Sequence, residues 1–224
     1  MILSVVIPCW CEAPELDATV RAAAVIADEV IVVDAVSPDR SAEIAAAAGA
    51  RVVQSARGRG QQLAAGAIAA RGDVLLFVHA DARLPASARG AIDRALADPG
   101  VGGGNFRLRF APSDPWARLF GRLNHERRRW LRIYYGDSGL FVRREVYDAL
   151  GGFKPLPIME DYDLVRRLER ATRTIYLTDI EIVASARRFS HAPLRTLAVW
   201  TLIQTLASSG VSPDRLVGLY RDIR

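Results

Sequence analysis

Apolar and polar positions follow two alternating rhythms through the first hundred residues. Ile2 to Ile7 is a continuous apolar run stopped by Pro8, as expected of a buried parallel strand. Glu15 to Ala27 has helical spacing, and Val30 to Val33 is apolar throughout again. Ser41 to Ala48 reads as a helix stopped by Gly49, Arg51 to Gln54 as a third short strand, and Gln61 to Ala70 as a helix ending near Gly72. Val74 to Val78 is a fourth strand, and Pro85 opens a helix that reaches Leu96. This alternation predicts an α/β fold with a mostly parallel central sheet and helices on both faces.

The rhythm then changes. Phe106, Leu108 and Phe110 alternate with Arg107 and Arg109, so Asn105 to Phe110 reads as a strand with one wet face. Trp116 to Ile133 is a basic amphipathic helix, Leu140 to Val142 is strand-like, and Asp161 to Arg170 is helical. Ile175 to Leu177 and Ile180 to Ala184 read as two short strands, followed by closing helices over Leu194 to Ser208 and Pro213 to Arg224. No repeat, low-complexity stretch or linker interrupts the chain, which predicts one domain over 1–224.

Composition narrows the partners. Of 224 residues half are hydrophobic and a quarter charged, the balance of a globular protein. A net charge of +5 favours nucleotide diphosphates, phospholipid surfaces or nucleic acid. The last is disfavoured because no nucleic-acid reading module accompanies the charge. Cys9 and Cys11, the only cysteines, are too close to staple the fold and lack a second pair for zinc. Reduced thiols and the absence of a basic leader before Ile7 predict a cytoplasmic protein. No apolar run reaches the ~20 residues of a membrane span. The segment Trp116 to Tyr135 nevertheless sets Trp116, Leu119, Phe120, Leu123 and Trp130 at helical spacing among Arg127, Arg128, Arg129 and Arg132. Two readings fit it: a core-facing stripe with a solvated basic face, or a peripheral contact with the inner face of an anionic membrane.

Three acidic stations stand out against this frame. Asp34 follows the second strand, Asp81 closes His79-Ala80-Asp81 after the fourth, and Glu160-Asp161 follow Gly151-Gly152-Phe153 at the start of a helix. Carboxylates at the C-terminal ends of parallel strands sit where open α/β sheets bind ligands. Such a set can hold a nucleotide, a divalent cation and a reacting hydroxyl together. The loop Arg57-Gly58-Arg59-Gly60 is a candidate diphosphate cradle, without the Gly-Lys-Ser/Thr ending of a P-loop.

Taken in order, Ile7-Pro8, Glu12, Val33-Asp34, Ser37-Pro38-Asp39, His79-Ala80-Asp81, Gly151-Gly152-Phe153, Glu160-Asp161 and Arg166-Arg167-Leu168 resemble the family 2 glycosyltransferases of GT-A fold. Further blocks resemble a small bacterial subfamily described as radical-SAM/selenodomain-associated or arsenosugar-biosynthesis glycosyltransferases. These are Arg71 to Phe77, Tyr135-Gly136-Asp137, Gly139 to Arg144, Pro157 to Asp161, Ser185 to Arg188 and Gly210 to Pro213. The resemblance implies an inverting transferase that moves a sugar from a nucleotide-diphosphate donor to a small-molecule or lipid acceptor. It assigns 1–100 to the nucleotide, 101–190 to the acceptor and 191–224 to C-terminal helices. It implies donor contacts from Pro8, Glu12, Asp34 and His79, with Arg57 and Arg59 of the basic loop beside them as the residues themselves suggest, and Mg2+ or Mn2+ on Asp81. Asp161 becomes the base with Glu160 beside it, while Asp137, Arg187 and Arg188 face the acceptor or the leaving phosphate. The chain departs from the family where Asp34-Ala35-Val36-Ser37 replaces Asp-Asp-Gly-Ser, Cys11 replaces an Asn, and Ala64 replaces another. These departures leave the nucleotide base open. A nucleotidyltransferase of related fold would want a Gly-rich basic turn where Pro8 to Glu12 stands, and a non-catalytic binder would hold donor without consuming it.

Overall fold

The apolar runs become strands in a computed structural model of the chain, which describes residues 1–187 and 189–221. β1 (Leu3–Cys9), β2 (Glu29–Asp34), β3 (Arg51–Gln54) and β4 (Val74–Phe77) lie parallel in the order β3-β2-β1-β4. Both faces of β1, β2 and β4 are covered, which is why their sequences are almost entirely apolar, whereas the edge strand β3 (Arg-Val-Val-Gln) stays partly exposed. Leu3, Val5, Ile7 and Cys9 point to the side packed by α1 (Ala13–Ile26) and α2 (Ser41–Ala47). Val6, Ile31 and Val33 point to the side packed by Leu63 and Ala67 of α3 (Arg59–Ala69).

The second half extends the sheet with mixed directions. β5 (Ala82–Arg83) follows the fourth strand closely, then come α4 (Ala88–Ala95) and the eleven-residue β6 (Val101–Ala111), which lies between β7 and β8. After α5 (Pro115–Leu131) and a 3-10 turn (Gly136–Ser138) come β7 (Leu140–Arg143), α6 (Arg144–Ala149), α7 (Glu160–Ala171) and β8 (Arg173–Ser185). The full order is β3-β2-β1-β4-β7-β6-β8-β5, with β7 antiparallel to both its neighbours and β8 parallel to β6. The helices α8 (Pro193–Ser208) and α9 (Pro213–Arg221) form a satellite core around Ile158, Ile203 and Leu216. Among the described residues no helix is long and apolar enough to cross a membrane.

Two local readings of the sequence are corrected and two short elements are added. The two strands expected at 175–177 and 180–184 are one strand, because β6 holds both halves. Phe106 pairs with Leu177 and Arg107 with Glu181, so residues 178–180 bulge without breaking the ladder. The six-residue α6 and two-residue β5 carry too little periodicity to be read. The helix over 115–131 also divides differently from expectation. Ala117, Phe120 and Arg128 are buried, whereas Leu119, Leu123 and Trp130 face solvent.

Arg128 shows why α5 sits as it does. Asp114 caps the helix start, its Oδ1 accepting from Ala117 N at 2.7 Å, and Arg132 at φ 54° ends it in the left-handed region. About one turn before that end, the Arg128 guanidinium turns inward, donates to Asn105 Oδ1 at 2.7 Å, and pairs with the buried Glu169 side chain at 3.2 Å. Asn105 in turn donates to Ser138 Oγ at 3.2 Å, so one buried polar chain joins α5, β6, α7 and the 3-10 turn. Removing the cation leaves the buried Glu169 carboxylate with only the more exposed Arg132, 3.7 Å away, and the Thr174 hydroxyl, which costs more than the pair contributes. Arg128→Met is therefore expected to lower stability by about 3 kcal/mol in denaturant unfolding, whereas exposed Arg129→Met changes it by less than ~0.5 kcal/mol.

Candidate active site

Parallel register brings the site together. Cys9 stands opposite Asp34 and Val6 opposite Phe77, so residues 10–12, 34–37 and 78–81 leave the sheet at the same end. Buried Gln62 fixes this end by donating to Cys9 O at 2.7 Å and Val33 O at 2.9 Å. Burial pushes the Cys9 thiol up to about 11, against a hydrogen bond to Ser41, so it stays a protonated packing group at neutral pH.

Asp34 is buried at the tip of β2, and its own loop grips it. Ser37 donates its backbone N–H to Oδ2 at 2.9 Å and its hydroxyl to Oδ1 at 2.5 Å. The Ser37 hydroxyl also accepts from Cys11 N at 3.0 Å, tying the first and second strand ends together. The turn that allows this places Val36 at φ 57°. That residue occupies the place of the glycine in Asp-Asp-Gly-Ser, and its left-handed backbone is one that glycine adopts far more readily than valine. Across the loop, Arg57 stacks over the Trp10 ring at 3.6 Å. The sequence reading gave Trp10 no role, since an aromatic residue among loop residues has no periodic signal.

Asp81 and Glu12 share a cation. Arg187, at the end of β8, pairs with Glu12 and lies 3.4 Å from Asp81 Oδ2. The Asp81 turn is held by Thr19, whose hydroxyl donates to Ala80 O at 2.7 Å, and by Ser185 N donating to Asp81 O at 3.2 Å. Pro8 sits in β1 opposite Val33 and contributes shape rather than a polar group. Arg188 lies outside the described residues.

Glu160 and Asp161 open α7 with both side chains buried. Arg59, the first residue of α3, reaches across to them. Its Nε pairs with Glu160 Oε1 and its Nη2 lies 3.3 Å from Asp161 Oδ2. The same Asp161 oxygen accepts from Gly136 N at 3.0 Å, and Oδ1 accepts from Tyr162 N at 2.8 Å. Burial raises the Glu160 carboxyl above the ordinary range, Arg59 pulls it down, and the adjacent Asp161 charge adds to the rise. Gly136 has to be small, since a Cβ there would stand 2.9 Å from His79 Nε2 and 3.4 Å from Asp161 Oδ2. Gly60 is equally constrained, for a Cβ would meet the Lys154 carbonyl and come within 3.2 Å of Glu160 Cβ.

The expected residues thus form two linked groups: Glu12, Asp81 and Arg187, then His79, Arg59, Glu160 and Asp161. Asp137 lies on the 3-10 turn next to Gly136. A depression of about 360 Å³ lined by Ala64, Ile68, Arg144, Tyr147 and Phe153 contains none of them. Among the described residues no three His, Cys, Asp or Glu side chains are grouped as a metal cage. Asp81 is a hard-oxygen ligand of the kind Mg2+ and Mn2+ prefer. Such ions are commonly held by one or two carboxylates together with substrate phosphates and water, so the donor set fits a cation shared with a diphosphate.

The sequence pattern of Glycosyl transferase family 2 matches residues 4–154. No curated protein matches the chain. Among solved structures, S. aureus TarS 1-349 in complex with UDP-GlcNAc is similar at a TM-score of 0.66 and 16% identity, over 84% of this chain and 59% of that one. Glucosyl-3-phosphoglycerate synthase from Mycobacterium tuberculosis, in complex with Mg2+ and uridine-diphosphate, is similar at 0.59 and 20% identity, over 82% and 69%. A mycobacterial protein is similar at 0.58 and 24% identity, over 82% and 65%. These likenesses bear out the α/β, GT-A-like fold. The chain spans less than two thirds of the length of the TarS fragment and of the mycobacterial protein.

The strained turn gives a direct test. Relief of a left-handed valine, less the extra freedom of glycine in the unfolded chain, is expected to make Val36→Gly about 1 kcal/mol more stable than wild type in thermal or denaturant unfolding.

Proposed function

Because the chain belongs to glycosyl transferase family 2, we propose that it moves a sugar from a nucleoside-diphosphate donor to an acceptor hydroxyl with inversion. The observation that carries this reading is the setting of Asp161: a buried carboxylate fixed by Gly136 N–H, Tyr162 N–H and Arg59 beside His79. A carboxylate so fixed can take the acceptor's proton while its oxygen forms the new bond to the anomeric carbon. In the same step the bond from that carbon to the donor oxygen breaks, and its electron pair leaves with the diphosphate. No covalent sugar–protein intermediate is required.

The remaining residues divide the work. Asp34 accepts hydrogen bonds from the nucleoside, with Pro8, Glu12 and Trp10 shaping the loop around it. Arg57 is the exposed cation of the diphosphate loop. Arg59 serves the carboxylates instead, as a positioning residue. Arg187 lies within reach of both Glu12 and Asp81, where it can transfer its charge to an incoming phosphate. A divalent cation on Asp81, with His79 beside it, would neutralise charge on the departing diphosphate when bound. The subfamily blocks support a small-metabolite acceptor, with a lipid hydroxyl as the alternative, met by Asp137 and the turn around it. TarS and glucosyl-3-phosphoglycerate synthase were crystallised with UDP-GlcNAc and uridine-diphosphate, which makes uridine nucleotides the first donors to examine.

Thermal unfolding with UDP, GDP, dTDP and CDP, each with and without Mn2+, tests the donor site. A nucleotide at a hundred times its Kd adds about 2.7 kcal/mol to the folded state. The expected result is a shift with one nucleotide that Mn2+ enlarges, and an Asp81→Asn variant in which the enlargement is lost. No shift with any nucleotide would overturn the donor assignment. Asp161→Asn should keep the nucleotide shift and lower transfer by at least ~10²-fold; transfer at the wild-type rate would remove Asp161 from the role of base.

A further inference from the structure

The helix α5 has two parallel rows on its exposed side. Arg118, Arg122 and Arg129 form one, and Leu119, Leu123 and Trp130 form the other. Both use the same spacing, four residues and then seven. On a helical projection each row keeps within about 40°, and the two rows lie about 100° apart. Solvent reaches the apolar row: Trp130 is 70% exposed, Leu123 43% and Leu119 38%. Neither row belongs to the core, since Ala117, Phe120 and Arg128 fill the buried side.

Charge is concentrated here. Pro115 to Arg132 holds six arginines and one glutamate, a surplus of five, equal to the net charge of the entire chain. The rest of the protein is therefore balanced overall. The one acid on the exposed side, Glu126, is engaged by Trp130, whose Nε1 donates to it at 2.8 Å. Next to α5, tied to it through the stacked rings of Phe120 and Phe189 and the edge of Trp200, lies α8. That helix has a single charged residue, Arg195, and leaves Leu194 and Leu202 exposed.

We infer that the exposed side of α5 docks on an anionic lipid surface, the apolar row entering the interface and the arginine row meeting the phosphates. A basic row next to an apolar row that includes tryptophan is the form of a helix lying in the plane of a bilayer. A second copy of the chain is a poor occupant, since it would oppose arginine with arginine. The helix also runs directly into Tyr134, Tyr135 and Gly136, whose N–H holds Asp161. Docking along α5 would set the base end of the cleft close to the lipid.

Flotation of the whole chain with vesicles tests this without donor or acceptor, so its result is independent of the transferase reading. Phosphatidylcholine vesicles are compared with the same vesicles containing phosphatidylglycerol, at low and high salt. The expected result is binding only with phosphatidylglycerol, weakened by salt. The triple change Leu119→Ser, Leu123→Ser and Trp130→Ser should cut binding at least ~10-fold while keeping the unfolding midpoint. Replacing Arg118, Arg122 and Arg129 with glutamine should cut it on the order of a hundredfold. No binding to phosphatidylglycerol vesicles, or binding unchanged in both triple variants, would overturn the inference. So would sedimentation showing a dimer that the serine variant dissociates, which gives the surface to a second copy. Binding to polyglutamate as tight as to vesicles, and insensitive to the serine changes, would instead assign it to an acidic polypeptide.

Discussion

Two carboxylates side by side and out of water are stable only with a countercharge, and Arg59 supplies it to Glu160 and Asp161. The rest of the cleft follows from that need. Arg59 is the first residue of α3, on the half of the chain built from parallel strands, whereas the acids open α7 on the other half. The ion pair is therefore also a clamp between halves, and it closes only if α3 approaches α7 closely. Gly60 permits that approach, and Gln62, one turn along, ties the same helix to the ends of β1 and β2. The position of the base and the position of the strand ends are in this way set by one helix.

β1, β2 and β4 were legible because a parallel strand covered on both faces has to be apolar nearly throughout, and the short edge strand β3 was legible from its place between Gly49 and the next helix. The same argument located Asp34 and Asp81, since acids that follow such runs have few other reasons to be there. Elsewhere the signal failed for physical causes. Thr178 and Asp179 look like a turn, yet β8 runs through them because β6 pairs with residues on both sides. Arg128 looks like its exposed neighbours, and partners distant in sequence, Asn105, Glu169 and Thr174, draw it inward.

Within the site, the legible part was the identity of the acids and the illegible part was their partners. Arg59 and Glu160 are 101 residues apart, and Arg187 and Glu12 are 175 apart, distances over which local pattern carries no information. Gly136 acts through its backbone N–H and through the absence of a side chain, neither of which marks a sequence. The Val36 turn is a mixed case. Its likeness to the family pattern was visible, but only the dihedral shows that Val36 takes a left-handed conformation suited to glycine.

The two anchors of α5 have a consequence for what the segment can absorb over evolutionary change. Phe120 is seated among Phe189 and Trp200, and Arg128, about two turns later, is seated against Asn105 and Glu169. Between them the helix behaves as a shaft keyed at both ends. Inserting or deleting one residue there would rotate one key by about 100° out of its slot. The outward positions between the keys can change identity without disturbing the fold, but the number of residues cannot change. A change of length at exposed Pro112-Ser113, before Asp114, would leave the phase between the two keys intact.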